Sequence, residues 1–345
     1  MASRLAGLAV AVFVVRGFSL VSQDYSARRA GDVVRLEDTR SQIAVSIAPG
    51  AGNVVFDMSV KGRNILQWPY GSIEEFKAKP AMNGIPFMAP WANRLDELGF
   101  YANGRRYGFD MTLGNIRGER PIHGFLAAAE WQASDLRADA ASAWSTSRLE
   151  FFRNPQWMKQ FPFAHTIEMT HRLRDGALQV TTRISNQSVE PMPVSVGFHP
   201  CFRVTDAPRD EWTIGIDART RWLLASTKIP TGETEPIDRL FPDPRSVPLK
   251  DYNLDDVFSD LRRDRGQRAT AFVRGRSQQI DIVVDDRYRA LVVFAPAGRD
   301  FICIEPMAAI TNAMNLAHRG VYKELQTLPP GQTWEASFWV KPHGF

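Results

Sequence analysis

Cysteine is nearly missing from the 345-residue chain: Cys201 and Cys303 are the only two. They cannot make a disulfide framework, and neither belongs to a C-x-x-C pair of the kind that binds zinc or runs redox chemistry. No H-E-x-x-H or H-x-H is present to hold a metal, and no G-x-S-x-G to present a serine nucleophile. Phosphate-binding loops of the P-loop or G-x-G-x-x-G type are missing as well. Charge of one sign is not in excess, since 42 basic residues are scattered among 38 acidic ones for a net +4. The densest basic stretch, Arg262 to Arg268, is broken by Asp264 and Gly266 and reads as a solvated loop, so a nucleic-acid partner is excluded despite a pI near 9.1.

Long apolar runs are also scarce. The exception is Leu5 to Val15 after Arg4, of signal-peptide length and too short for a span of about 20 residues. Residues 1–22 are therefore expected to be a signal peptide ending near Leu20-Val21-Ser22, which would export the protein to a periplasm or the exterior; without cleavage the protein would be cytoplasmic. Arg16 interrupts the run, and an apolar extension packed on the domain is the competing reading. No later stretch approaches a membrane span.

Helical periodicity is thin. One short helix is expected at 72–79, with Ser72 and Glu75 as a capping box and Pro80 closing it, and a second from about Asn312 to Arg319, stopped by Gly320. What fills the chain beyond Arg35 is short alternating runs such as Ile43–Ile47 and Val54–Val60, repeated at 147–152, 165–173, 177–185, 193–198, 212–217, 279–284, 290–295, 301–305 and 333–340. The spacing predicts an all-β class, a sandwich or barrel rather than alternating strands and helices, over residues 23–345 as one domain, with 226–250 and 259–268 as long surface loops. Composition agrees with a sizeable core: 44% hydrophobic, 23% charged, 9 Trp among 11% aromatics.

Four short segments place polar groups beside apolar or backbone-fixing neighbours. In Phe301-Ile302-Cys303-Ile304-Glu305-Pro306, period-2 alternation puts Phe301, Cys303 and Glu305 on one face, and Pro306 ends the ladder beside the carboxylate. Partial burial there would raise the Glu305 pKa towards that of a general base. His199 shares a face with Ser195 and Gly197, an alternation that suggests room for a ligand, and Pro200 follows. His123 sits between Pro121-Ile122 and Gly124. Asn93 and Arg94 follow Trp91; the guanidinium fork suits vicinal hydroxyls, and Trp91 could stack on a pyranose or be core. His165 and His171 read as framework or cleft lining, His318 and His343 as surface. The set provides an acid, a base and orienting donors, sufficient for proton transfer on a polyhydroxylated substrate with no cofactor and no metal.

Taken in order, these segments resemble the aldose 1-epimerase (galactose mutarotase) family from about Ile43 to about Lys341. The similarity is carried by Ala92-Asn93-Arg94-Leu95, Gly99-Phe100, Asn103-Gly104, His123-Gly124 ahead of Trp131, Asn186 and Pro193. It continues through His199-Pro200 with Phe202, Leu254-Asp255 with Phe258, Glu305-Pro306 with Asn312, and Leu328-Pro329-Pro330-Gly331. The resemblance implies a large antiparallel β-sandwich with a few short helices, the mutarotase supersandwich, with its site in a cleft across one sheet. It further implies Glu305 as general base, His199 as general acid, and Arg94, His123 and Asp255, with Asn93 beside them, as groups that hold a free hexose. This chain departs from the family pattern at Gly124-Phe125, Pro90-Trp91, Cys201 and Met307-Ala308, around the acid and base without removing either. Asp256 adjoins Asp255, and alternation alone does not say which faces the cleft. The substrate expected is a small-molecule sugar, with the oligomeric state left open. Two other readings fit the same architecture. A hexose-6-phosphate 1-epimerase would use Arg105, Arg106 and Arg117 at the mouth; a carbohydrate-binding or sensing protein would keep the cleft without turnover.

Overall fold

The computed structural model describes residues 24–113 and 116–345. The expected signal peptide at 1–22 lies outside the described residues. Among the described residues no helix is long and apolar enough to cross a membrane.

Two large antiparallel sheets dominate the fold. The first has nine strands in the order Gln132–Ala138, Ala143–Glu150, His165–Arg174, Ala177–Asn186, Thr333–His343, Gln279–Val284, Ala269–Arg274, Thr213–Ile216 and Val247–Pro248. The second runs Pro230–Pro236, Thr220–Leu224, Leu254–Ser259, Ala290–Ala295, Ile302–Met307, Gly197–Phe198 and Phe87–Met88, with Cys201–Phe202 also paired to Ile302–Met307. A five-stranded sheet over Tyr25–Asn64 completes the larger elements. The alternating runs leave a sandwich or a barrel open, and the structure is the all-β antiparallel sandwich that the family resemblance implies.

Period-2 alternation decides which side chains fill the sandwich. Ile302 and Ile304, Leu291 and Val293, and Phe198 face inward with Val180, Ile282, Phe338 and Val340 of the nine-stranded sheet in one buried cluster. The rings of Phe198 and Phe338 meet at 4.8 Å across the layers. The residues between them, Cys303, Glu305 and Met307, necessarily project to the other face of the second sheet. There Met307, Val292, Val257 and Trp222 form a separate apolar cluster beneath the loops that cover the sheet.

Both expected helices exist. Ile73–Ala78 starts at Ser72, whose hydroxyl accepts from the Glu75 amide, and Ala313–His318 follows Asn312. The stretch 226–250 is more ordered than the surface loop expected of it. Pro230–Pro236 pairs with Thr220–Leu224 at the sheet edge, and a single turn of 3-10 helix buries Ile237. Prolines at the ends of an edge strand cost no ladder hydrogen bond, so a proline-rich composition conceals a strand there.

Candidate active site

Backbone pairing assembles the site from distant segments. The segment 89–95 lies between 122–126 and 195–197, with bridges Ala89 to Gly124, Trp91 to Ser195 and Arg94 to Ile122. The His123 amide donates to the Asn93 carbonyl at 2.9 Å, and the Ala92 amide to Ser195 at 2.6 Å. Asn93 and His123 both sit in the left-handed region, at φ 56° and 61°. Non-glycine residues hold that conformation only where surrounding contacts over-determine it, and such positions cluster at functional sites. Gly124 is obligatory: at φ +61° a Cβ would lie 1.9 Å from the Ala89 carbonyl oxygen.

The register between the strand containing Ile302–Met307 and the chain 197–202 places the two titratable groups together. Gly197 pairs with Met307, Cys201 with Cys303 and Phe202 with Ile302, and the Ile304 amide donates to the Pro200 carbonyl at 3.2 Å. The same register sets His199 opposite Glu305. Their side chains meet, with His199 Nε2 3.1 Å from Glu305 Oε1. The room read beside Gly197 is not for a ligand: a Cβ there would meet the Pro306 carbonyl at 2.8 Å and Ala92 at 3.1 Å, because segment 89–95 packs into that gap.

Burial sets the electrostatics of the pair. Glu305 is 1% exposed and His199 7%. Desolvation pushes the Glu305 carboxyl well above its ordinary range, the Asp255 charge adds to that, and Arg94 opposes it. Desolvation lowers His199 to about 4; its own backbone carbonyl partly offsets this, and Arg94 lowers it further. Glu305 Oε2 is buried and has no hydrogen-bond partner among the described residues. A buried carboxylate oxygen without a donor costs stability, and native proteins keep such an atom where something else comes to bond it.

The other predicted residues surround this pair unequally. His123 stands edge-on to His199, ring centres 5.2 Å apart. Its pKa is held well below the ordinary value by burial first, then by His199, Arg94 and Arg117. Arg94 is largely buried, with Nη2 donating to Asp255 Oδ2 at 3.3 Å and Nη1 to Asn93 Oδ1 at 3.0 Å. Asn93 also accepts from the Arg94 amide, so its side chain aims the guanidinium. Asp255 faces the cleft; Asp256, one residue on, projects to the opposite face and pairs with Arg221 at 2.7 Å.

Trp91 requires a correction. It is 1% exposed, stacked on Phe109 at 4.6 Å and edge-on to Phe125, so no ring face is open to a sugar. An aromatic preceding a site loop is as useful for anchoring that loop as for stacking, and here packing won.

A cleft of about 490 Å³ opens beside the carboxyl–imidazole pair, lined by Arg94, Asp255, Phe294, Arg117–Arg120, Thr227 and Lys228; Arg94 and Asp255 connect it to Glu305, which, like His199 and His123, does not itself line it. Phe294, Arg120 and Lys228 were not legible from the sequence. Phe294 could have been found from strand register, since it pairs with both Asp255 and Cys303. Arg105 and Arg106 are turned away from the cleft, paired with Glu190 and Glu97, so of the three arginines named for a phosphate only Arg117 lines the mouth. His165 stacks on Phe151 at 4.2 Å and His171 is buried without ion-pair partners among the described residues, which makes both framework. His318 stacks on Tyr101 at the surface and His343 pairs with Asp281.

The two cysteines form one disulfide, Cys201–Cys303. Their sulfurs and a ring nitrogen of His199 lie within 4.8 Å of one another. Because the sulfurs are bonded to each other, neither is a thiolate that could ligate a metal.

The fold and site define a β-sandwich protein with a buried carboxyl–imidazole pair beside a cleft lined largely by charged residues. The aldose 1-epimerase family model matches residues 32–341, and the chain belongs to that family. Solved structures with the same fold include a galactose mutarotase-like protein from Clostridium acetobutylicum, at 22% identity and TM-score 0.81, covering 93% of this chain and 98% of that one. A galactose 1-epimerase from Lactobacillus acidophilus matches at 13% identity and TM-score 0.72, covering 93% and 98%. An aldose epimerase homologue from Caenorhabditis elegans matches at 15% and 0.70, covering 88% and 97%.

Proposed function

We propose that the protein is an aldose 1-epimerase that interconverts the α and β anomers of a free hexose. The observation that carries this reading is the Glu305–His199 contact with Glu305 Oε2 buried and left unpartnered. The anomeric hydroxyl and the ring oxygen are bonded to the same carbon, so a base and an acid that serve them must themselves lie close together. A 3.1 Å separation suits that requirement.

The anomeric hydroxyl donates to Glu305 Oε2. That hydrogen bond favours the carboxylate form and draws the proton shared by Oε1 and Nε2 onto His199. Glu305 then removes the hydroxyl proton while His199 Nε2 protonates the ring oxygen, and the hemiacetal opens to the free aldehyde. Rotation about C1–C2 presents the other carbonyl face, and reclosure reverses both transfers. Each proton transfer contributes on the order of 10²–10⁴-fold. Arg94, held by Asn93 and Asp255, and His123 fix the sugar hydroxyls, which supplies the orientation that acid–base catalysis requires.

Polarimetry on freshly dissolved α-glucose and α-galactose tests this. The purified protein is expected to speed equilibration, and Glu305→Gln to slow it by at least about 10²-fold. Equal rates for protein and variant would reject the reading.

A further inference from the structure

The mutarotase reading leaves the Cys201–Cys303 disulfide unused, although it lies in the same row of side chains as the proposed acid and base. Antiparallel register sets Cys201 opposite Cys303 and, two residues along each strand, His199 opposite Glu305. A two-residue step returns to the same face of the sheet, so the disulfide is the next cross-strand pair beside the carboxyl–imidazole pair. It is also in contact with it: Cys201 Sγ lies 3.3 Å from His199 Nδ1. Both cysteines are buried, at 1% and 0% exposure.

Resting on that reading, we propose that the disulfide is a positioning device for His199, selecting the tautomer that catalysis uses and fixing the spacing between acid and base. A sulfur in a disulfide carries no hydrogen and can only accept. The backbone carbonyl of His199 itself, which also bonds the ring, is likewise an acceptor. With the disulfide sulfur against it as an acceptor, Nδ1 carries the N–H, and the other nitrogen, Nε2, is left to exchange its proton with Glu305 Oε1. A thiol or hydroxyl at position 201 would reverse this. It can donate to Nδ1, which then holds a lone pair, and the ring proton moves to Nε2. The imidazole in that state gives up a proton from Nε2 only by becoming an anion, and takes a second only by breaking its bond at Nδ1. The covalent link also joins the two strands one side-chain pair away from the reacting groups, where Pro200 and Pro306 both remove ladder donors.

The test uses two double variants of the full chain. Cys201→Ser with Cys303→Ser restores a donor beside Nδ1; Cys201→Ala with Cys303→Ala removes the link without adding one. Nitrogen-15 NMR of labelled histidine reads the His199 tautomer directly, with His199→Asn used to assign the signal, so this arm does not depend on any sugar being turned over. The parent is expected to show the Nδ1–H form and the serine variant the Nε2–H form. In the serine variant kcat is expected to fall at least about tenfold with KM within about twofold, as a misdirected tautomer does elsewhere. The alanine variant should keep the parent tautomer and lose less. Far-UV circular dichroism and melting curves confirm that both variants are folded at the assay temperature. An Nε2–H tautomer in the parent, or parent tautomer and kcat in the serine variant, overturns the proposal. A parent that accelerates no sugar would reject the mutarotase reading and leave the tautomer result standing.

Discussion

The cleft lined by Arg94 and Asp255 and the groove lined by Trp339 and the C-terminal residues 341–345 are similar in size and different in kind. The groove, about 550 Å³, is lined by Ser41, Lys61, Gln179, Trp339, Lys341 and Phe345 among others. The cleft measures about 490 Å³. Volume alone would favour the groove. Its polar groups, however, are surface groups with ordinary partners: Gln179 donates to Thr181 and Ser337, Lys61 to the Phe345 carbonyl, and His343 contacts Asp281. Near Arg94, which lines the cleft, lie a carboxyl oxygen of Glu305 and His123 Nδ1, both buried and both without a partner among the described residues. Buried polar atoms without a partner occur elsewhere among the described residues, but none belongs to a groove-lining side chain, so they separate the two cavities where size does not.

The sharpest way to break this contrast is to remove the buried groups one at a time. His199→Asn is expected to slow mutarotation by at least about 10²-fold, like Glu305→Gln, and normal turnover in both would erase the distinction between cleft and groove. Next in size is Asp255→Asn. It removes a charge that raises the Glu305 pKa and releases one holder of Arg94, so KM should rise about tenfold. The acidic limb of the kcat profile should move to lower pH, because the base then ionises more readily; an unmoved limb would show that Asp255 does not act on Glu305.

A stability experiment probes the same carboxyl without substrate. The folded-state pKa of Glu305 lies above its unfolded value, so between those two values the native state binds more protons and stability falls as pH rises. His199, lowered to about 4, contributes the opposite slope between about 4 and its unfolded value near 6.5. Glu305→Gln abolishes the first effect only. Its melting temperature should therefore exceed that of the parent by about 2 °C or more at pH 8, and by less at pH 5. The smallest effect is expected in the groove, where Lys341→Ala should leave mutarotation within about twofold of the parent. A large loss there would give the groove a role the cleft comparison denies it.

Much of the architecture was legible because alternation is a local property. The runs at 165–173, 177–185 and 333–340 lie within long paired strands, and Ser72 with Glu75 caps a helix as its spacing says. The face-sharing of Cys303 and Glu305 was equally legible. Less was readable where a side chain's partner lies far along the chain. Trp91 could be core or platform on sequence grounds, and Phe109 and Phe125 decided it. Asp255 and Asp256 differ only in which face of Leu254–Ser259 they occupy, a choice fixed by pairing with Ala290–Ala295.

The sequence by itself determined the strands, the residue types able to transfer protons and their membership of one family pattern, because these depend on neighbours one to four positions away. Tertiary structure alone decided that His199 meets Glu305, that Cys201 meets Cys303 beside them, and that the carboxyl is left wanting a donor. Those outcomes come from register between strands about a hundred residues apart, and from burial, which pushes the pKa of an ordinary glutamate upward.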